Sequence, residues 1–183
     1  HPIDDEISQR GLNLFLKSLD PMKVYFTQED IAEFEKKQAD LDDMLKAGDI
    51  SFAYTVFNPL LERVDERLVV INELIDAKHD FKVDEELITD PDAVAYAKNV
   101  AEVNDRWRKR IKYDLLILKL DDTALEEARE RLHKRYDTLL KTMKQTEPFE
   151  ILEMYLSSLT HTFDPHSSYM SPETLEDFQI QMR

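Results

Sequence analysis

The chain is predicted to be all-α, with six or seven amphipathic helices in a bundle-like single domain. Three observations carry this expectation. Apolar residues recur at helical spacing through most of the 183 residues. Only 2 glycines, Gly11 and Gly48, are present, too few for the two-residue hairpin turns of an all-β fold. Capping residues and prolines fall where the apolar stripes stop and start.

The stripes define the helices in order. Ile7, Leu12, Phe15 and Leu19 predict a helix over 5–19, stopped by Asp20-Pro21, because proline disfavours helical geometry in the residue before it. Val24, Tyr25 and Phe26 follow as a short apolar plug. Thr27 with Asp30 approximates a capping box, and Ile31, Phe34, Leu41 and Leu45 place one helix up to Lys46, with Gly48 at its end.

A third helix begins near Asp49 or Ser51 and runs to about Ala77 on Leu61, Val64, Leu68, Ile71 and Ile75. Asn58-Pro59 within it implies either a kink or a break. The period is lost from His79 to Thr89, where Phe81-Lys-Val83 suits a short extended piece. Asp90-Pro91 has the form of a cap followed by proline at the first helical position. It predicts a helix over 91–119 carrying Val94, Ala97, Val100, Trp107, Ile111, Leu115 and Leu118.

Asp121-Asp122-Thr123 ends that helix and caps the next, whose stripe is Leu125, Ala128, Leu132, Tyr136, Leu139 and Met143 up to about Gln145. Glu127→Arg131 and Glu130→Lys134 on it are four apart in the favourable order. Pro148 opens a helix over 148–161, and Ser171-Pro172 caps a last short one containing Leu175 and Phe178.

Composition narrows the chemistry. Lys and Arg number 24 against 39 Asp and Glu, a net charge of −15, which as a whole repels nucleic acid and anionic membrane. With no Cys, neither disulfides nor thiol catalysis is available. No apolar run approaches the ~18 residues of a membrane span. Neither glycine has a partner at the spacing of a phosphate-binding loop. A start at His1 without Met suits a processed or cloned fragment.

One non-helical stretch has real sequence character, Thr162-Phe-Asp-Pro-His-Ser-Ser-Tyr-Met-Ser-Pro172. His161, Asp164 and His166 could be taken for metal ligands, but their spacing matches no helical zinc motif and Pro165 interrupts them, so no metal is expected. Ser167 or Ser168 as a nucleophile would need a His or desolvated Lys to take its proton. His161 and His166 are near neighbours on one loop, no Lys follows, and no glycine-rich oxyanion turn exists, so no catalytic residue is assigned. A turn at Asp164-Pro165, with the serine hydroxyls bonded to local backbone, is the expectation.

The basic run Arg106-Trp-Arg-Lys-Arg-Ile-Lys112 could be a nucleic-acid patch. On a helical wheel Trp107 and Ile111 join the buried stripe while Arg106, Lys109 and Arg110 lie off it. The partners expected for these cations are acidic side chains of the chain itself or of a parent protein, not nucleic acid. The clusters Asp40, Asp42, Asp43 and Asp84 to Glu86 are expected to be solvated surface. No cofactor is expected.

Two separated segments carry a family resemblance. Phe15-Leu-Lys-Ser-Leu-Asp-Pro21, continuing through Met-Lys-Val-Tyr-Phe-Thr-Gln-Glu-Asp-Ile31, resembles the start of the helical N-terminal domain of bacterial tail-specific (carboxy-terminal processing) proteases. Asp164 to Pro172 with Phe178-Gln-Ile-Gln-Met182 is similar to that family's approach to its PDZ domain. Val64-Asp-Glu-Arg-Leu68 and Trp107 to Leu116 fit the same domain.

The resemblance implies a periplasmic parent that is a serine endopeptidase with a Ser-Lys dyad, and a PDZ domain that captures the C-termini of protein substrates as an added strand. The dyad and PDZ domain have no matching positions here. Residues 1–161 are then the helical domain and 162–183 a linker and short helix toward an absent PDZ and protease body. The implied role is non-catalytic: scaffolding the protease, shaping substrate access, or docking an adaptor or a second copy. The alternative is a free-standing helical protein-interaction module.

Overall fold

The computed structural model describes residues 4–182. Among them lie eight α-helices: α1 Asp5–Leu19, α2 Gln28–Glu35, α3 Leu41–Lys46, α4 Ser51–Asp76, α5 Val100–Leu120, α6 Leu125–Lys144, α7 Pro148–Thr160 and α8 Pro172–Gln181. The only β-type pairing among the described residues is a single parallel bridge between Thr27 and Ala97. The fold is all-α. Among the described residues, no helix is long and apolar enough to cross a membrane.

Contacts divide the chain into two compact units. Among the described residues, the first comprises 4–21, 31–59 and 146–182, the second 22–30 and 60–145. In the first, α1 packs on α7. Asp4 caps α1, its Oδ1 accepting the Ile7 N–H at 3.0 Å, and Leu12, Phe15 and Leu16 are buried. Gly11 permits the close approach of the two helices, since a β-carbon there would lie 2.5 Å from Leu159 Cδ2. Tyr155 of α7 is fully buried, its ring 5.2 Å from Phe15 and 6.2 Å from Phe52.

In the second unit α5 packs on α6. Trp107 sits between Tyr25 at 5.8 Å and Tyr136 at 5.7 Å, and its Nε1 donates to the Val24 carbonyl at 2.9 Å. The expected apolar plug is thus what the α5 tryptophan holds. Thr27 and Asp30 form the expected reciprocal cap, and Arg63 Nη2 bonds the Asp30 carboxylate at 2.8 Å. Burial pushes the Asp30 carboxyl up, but the bonds from Arg63 and Thr27 outweigh it and hold it below its ordinary value.

Several boundaries differ from the sequence expectation, each for a physical reason. The single helix expected over 27–46 is divided by a 3-10 turn at Gln38–Asp40, because no large apolar residue between Phe34 and Leu41 anchors the intervening turns. Helix α4 runs unbroken through Pro59. Burial of Phe52, Val56 and Phe57 before the proline, and of Leu60 and Val64 after it, outweighs the roughly 3 kcal/mol that an interior proline costs.

The helix expected from Pro91 starts at Val100 instead. Asp90 accepts from the Asp92 N–H at 2.9 Å and makes a turn, and Gln28 N–H bonds the Ala97 carbonyl at 2.8 Å, keeping that segment out of the helix. The true cap is Asn99, whose Oδ1 accepts the Glu102 N–H at 3.0 Å while Glu102 reaches back to Lys98 N–H at 2.9 Å. Phe81 to Val83 is a turn rather than an extended piece, with Asp80 accepting from Lys82 N–H at 2.9 Å. Of the two helical ion pairs anticipated on α6, Glu127 with Arg131 is formed at 2.6 Å.

Candidate functional site

The loop after α7 and the basic face of α5 are the two places where the sequence suggested chemistry. In the loop, Asp164 makes the expected turn: its Oδ1 accepts the His166 N–H at 2.9 Å and its carbonyl the Ser167 N–H at 3.0 Å. The Ser167 hydroxyl donates to Asp164 Oδ2 at 3.3 Å, a side-chain partner where a backbone one was expected. That bond goes to a carboxylate, not to an imidazole, and no described His, Asp or Glu group is arranged to hold a metal ion.

The residues that hold this loop were not legible in the sequence. Ser157 of α7 accepts the Tyr169 N–H at 3.1 Å and donates to the Tyr169 carbonyl at 3.4 Å. Thr160 Oγ1 donates to the Ser167 carbonyl at 3.1 Å. Glu153 accepts the Ser171 N–H, while the Ser171 hydroxyl accepts the Thr174 N–H at 3.1 Å and caps α8. Burial pushes the Glu153 carboxyl up, but hydrogen bonds from Thr174 and Ser171 prevail and hold it below its usual value. His161 lines an open groove of about 550 Å3 on the first unit, with Leu14, Ser18, Met154 and Tyr169. Chemically, the loop is a hydrogen-bonded strap laid along α7.

The basic face of α5 is engaged within the chain. Arg106 Nη1 donates to the carbonyls of Lys23 and Ala95 at 3.0 and 2.8 Å, and its Nη2 to Glu102 at 2.7 Å. Lys109 pairs with Asp105 at 3.3 Å. Arg108 and Lys112 grip Glu85, with Arg108 Nη1 at 3.1 Å and Lys112 Nζ at 2.5 Å from Oε2. Lys112 also donates to the Val83 carbonyl at 2.9 Å. The acidic partners that the sequence reading invoked for these cations are therefore on the chain itself.

The bonds from Arg108, then Lys112, hold the Glu85 carboxyl down to about 2, against an ordinary 4.5. A carboxylate depressed on folding contributes stability above its unfolded value, and that contribution is lost as pH falls through the folded one. Stability from this pin is therefore expected to be complete above about pH 5 and to vanish toward pH 2. Acid titrations followed by circular dichroism should show Glu85→Gln less stable than the parent at neutral pH, the gap closing on acidification.

Comparison with known proteins decides the family. The model for the tail specific protease N-terminal domain matches residues 1–173. This chain belongs to that family. A tail-specific protease of Haemophilus influenzae is 32% identical over 177 residues, covering 96% of this chain and 26% of the relative. The chain thus spans about a quarter of the length of that relative. The strap from His161 to Ser171 lies inside the residues matched by the tail-specific protease domain, whereas most of α8 lies beyond them.

Proposed function

We propose that this chain is a non-catalytic helical module of a serine-type, Ser-Lys tail-specific protease that acts in the periplasm on proteins from their C-termini. In this reading residues 1–161 scaffold the protease and shape substrate access or adaptor docking, and 162–183 connect to a PDZ and catalytic body. The family match over residues 1–173, set against coverage of 26% of a relative that bears the protease name, carries the reading.

Two structural features support it. The hydroxyls of Ser157, Thr160, Ser167 and Ser171 act as caps and straps, which suits positioning better than bond cleavage. Helix α8 has no buried residue: its Leu175, Phe178 and Ile180 are all exposed, as is Met182 directly after it. An amphipathic helix left uncovered by its own unit suits a segment that continues into further protein.

The test is the coding sequence past Arg183. A glycine-rich start of a PDZ domain, followed by a serine and a lysine in a protease domain, is the expected finding. A stop codon directly after Arg183 would remove the proposal in favour of a free-standing interaction module.

A further inference from the structure

The segment Glu86–Thr89 carries an inference that is independent of the protease reading. It lies between the turn at Asp80 and the turn at Asp90, outside any helix or strand. Glu85 and Leu87 are half-buried while Glu86 and Ile88 are exposed, the alternation of an extended chain. Among the described residues, Glu86, Leu87, Ile88 and Thr89 form no hydrogen bond at all. Four consecutive backbone units are thus without a hydrogen-bond partner among the described residues, in a chain whose other backbone groups are mostly spoken for by helices.

The segment is nonetheless held in place. On its N-terminal side Glu85 is gripped by Arg108 and Lys112. On its C-terminal side Asp90 closes a turn through the N–H groups of Asp92 and Ala93, at 2.9 and 3.1 Å. A free edge fixed at both ends has already lost the conformational freedom that an ordering peptide template would otherwise have to give up.

Beside this edge runs a groove of about 230 Å3, with Met22, Val24, Leu87, Ile88, Val94 and Ala95 as its apolar lining. The charged residues at its rim largely cancel. Arg106 pairs with Glu102 at 2.7 Å and Lys109 with Asp105 at 3.3 Å, leaving Glu86 and Arg110 as one charge of each sign. In a chain of net charge −15, this locally neutral rim is matched to an occupant that carries no charge.

We propose that Glu86–Thr89 is a docking edge for an uncharged, apolar, extended peptide, which adds as a strand and places alternate side chains in the groove. Main-chain bonds to the free edge supply affinity, and the apolar lining selects side chains. This would give the second unit a polypeptide-holding activity of its own, separate from any cleavage site.

The experiment titrates an end-blocked peptide of alternating leucine and serine into the isotope-labelled 183-residue chain, followed by amide resonances. The expected result is a Kd at or below about 1 mM, with the amide signals of Glu86–Thr89 shifting and gaining protection from exchange. Methylating alternate peptide nitrogens on one edge should abolish binding, while the same change on the opposite edge leaves it intact. Ile88→Pro, which removes a backbone donor from the edge, should weaken binding about tenfold or more. Added salt should leave the Kd unchanged. No binding at about 1 mM peptide, binding that spares the Glu86–Thr89 signals, or equal tolerance of both methylated peptides would overturn the proposal. The methylated peptides decide the matter even if the proline variant fails to fold.

Discussion

Trp107→Ala is expected to lower the stability of the second unit by about 3–5 kcal/mol, the range for deleting a large buried aromatic. The indole is only 2% exposed and stacks against two rings, Tyr25 and Tyr136, the latter edge to face. Each such pair adds about 0.5–1.5 kcal/mol beyond area burial. Its Nε1 also binds the Val24 carbonyl at 2.9 Å, fixing the 22–28 segment against α5. Trp107→Phe separates the two contributions. It keeps most of the packing and leaves that carbonyl without its donor, so it should cost about 1–3 kcal/mol. Urea unfolding followed by far-ultraviolet circular dichroism measures both. A total stability of about 5–15 kcal/mol is usual for a domain, so the alanine variant should sit near the edge of folding.

In the first unit the largest effect is expected at Tyr155. Its ring is fully buried against Phe15 and Phe52, so Tyr155→Ala should also cost about 3–5 kcal/mol. Tyr155→Phe should behave oppositely. The phenolic oxygen is buried and has no hydrogen-bond partner among the described residues, and burial, with the Asp49 charge, pushes the hydroxyl pKa up to about 12. Removing an unsatisfied buried polar group relieves a desolvation penalty of about 1–3 kcal/mol, so the Phe variant should unfold at an equal or higher urea midpoint than the parent. A loss of stability in that variant would mean that the hydroxyl is bonded in solution.

Much of the fold is legible in the chain because apolar spacing reports burial directly. Of the stripe Leu125, Ala128, Leu132, Tyr136, Leu139 and Met143, the residues Ala128, Leu132 and Tyr136 became the buried side of α6, Met143 is half-buried, and Leu125 and Leu139 are exposed. Caps with a local partner were equally legible, as at Thr27 with Asp30 and Ser171 before Pro172. What the stripe could not report is competition from distant residues. Asp90-Pro91 has the local form of a helix start, yet the Ala97 carbonyl is claimed by Gln28, far away in sequence. The overlooked local signal was Asn99 with Glu102, a capping pair whose first member is asparagine. Pro59 illustrates the converse, since local chemistry argues for a break and burial on both sides of it decides for continuity.

The loop at Asp164 follows the same division. Its turn is local and was legible from Asp164-Pro165, whereas the strap depends on Ser157 and Glu153, separated from Tyr169 and Ser171 by more than three helical turns of chain. On the α5 face the opposite signs of the neighbouring charges anticipated internal pairing. The identity of Glu85 as the shared partner of Arg108 and Lys112 required the three-dimensional path of the 77–89 segment.

The central claim is that this helical domain carries no peptidase chemistry of its own and serves a protease through its surfaces. The most direct measurement incubates the purified 183-residue chain with an unstructured peptide ending in an apolar tail and follows the products by mass spectrometry. The predicted result is intact peptide, with circular dichroism showing a helical protein throughout. Specific cleavage that disappears in Ser167→Ala or Ser168→Ala would contradict the claim and place a nucleophile in the loop.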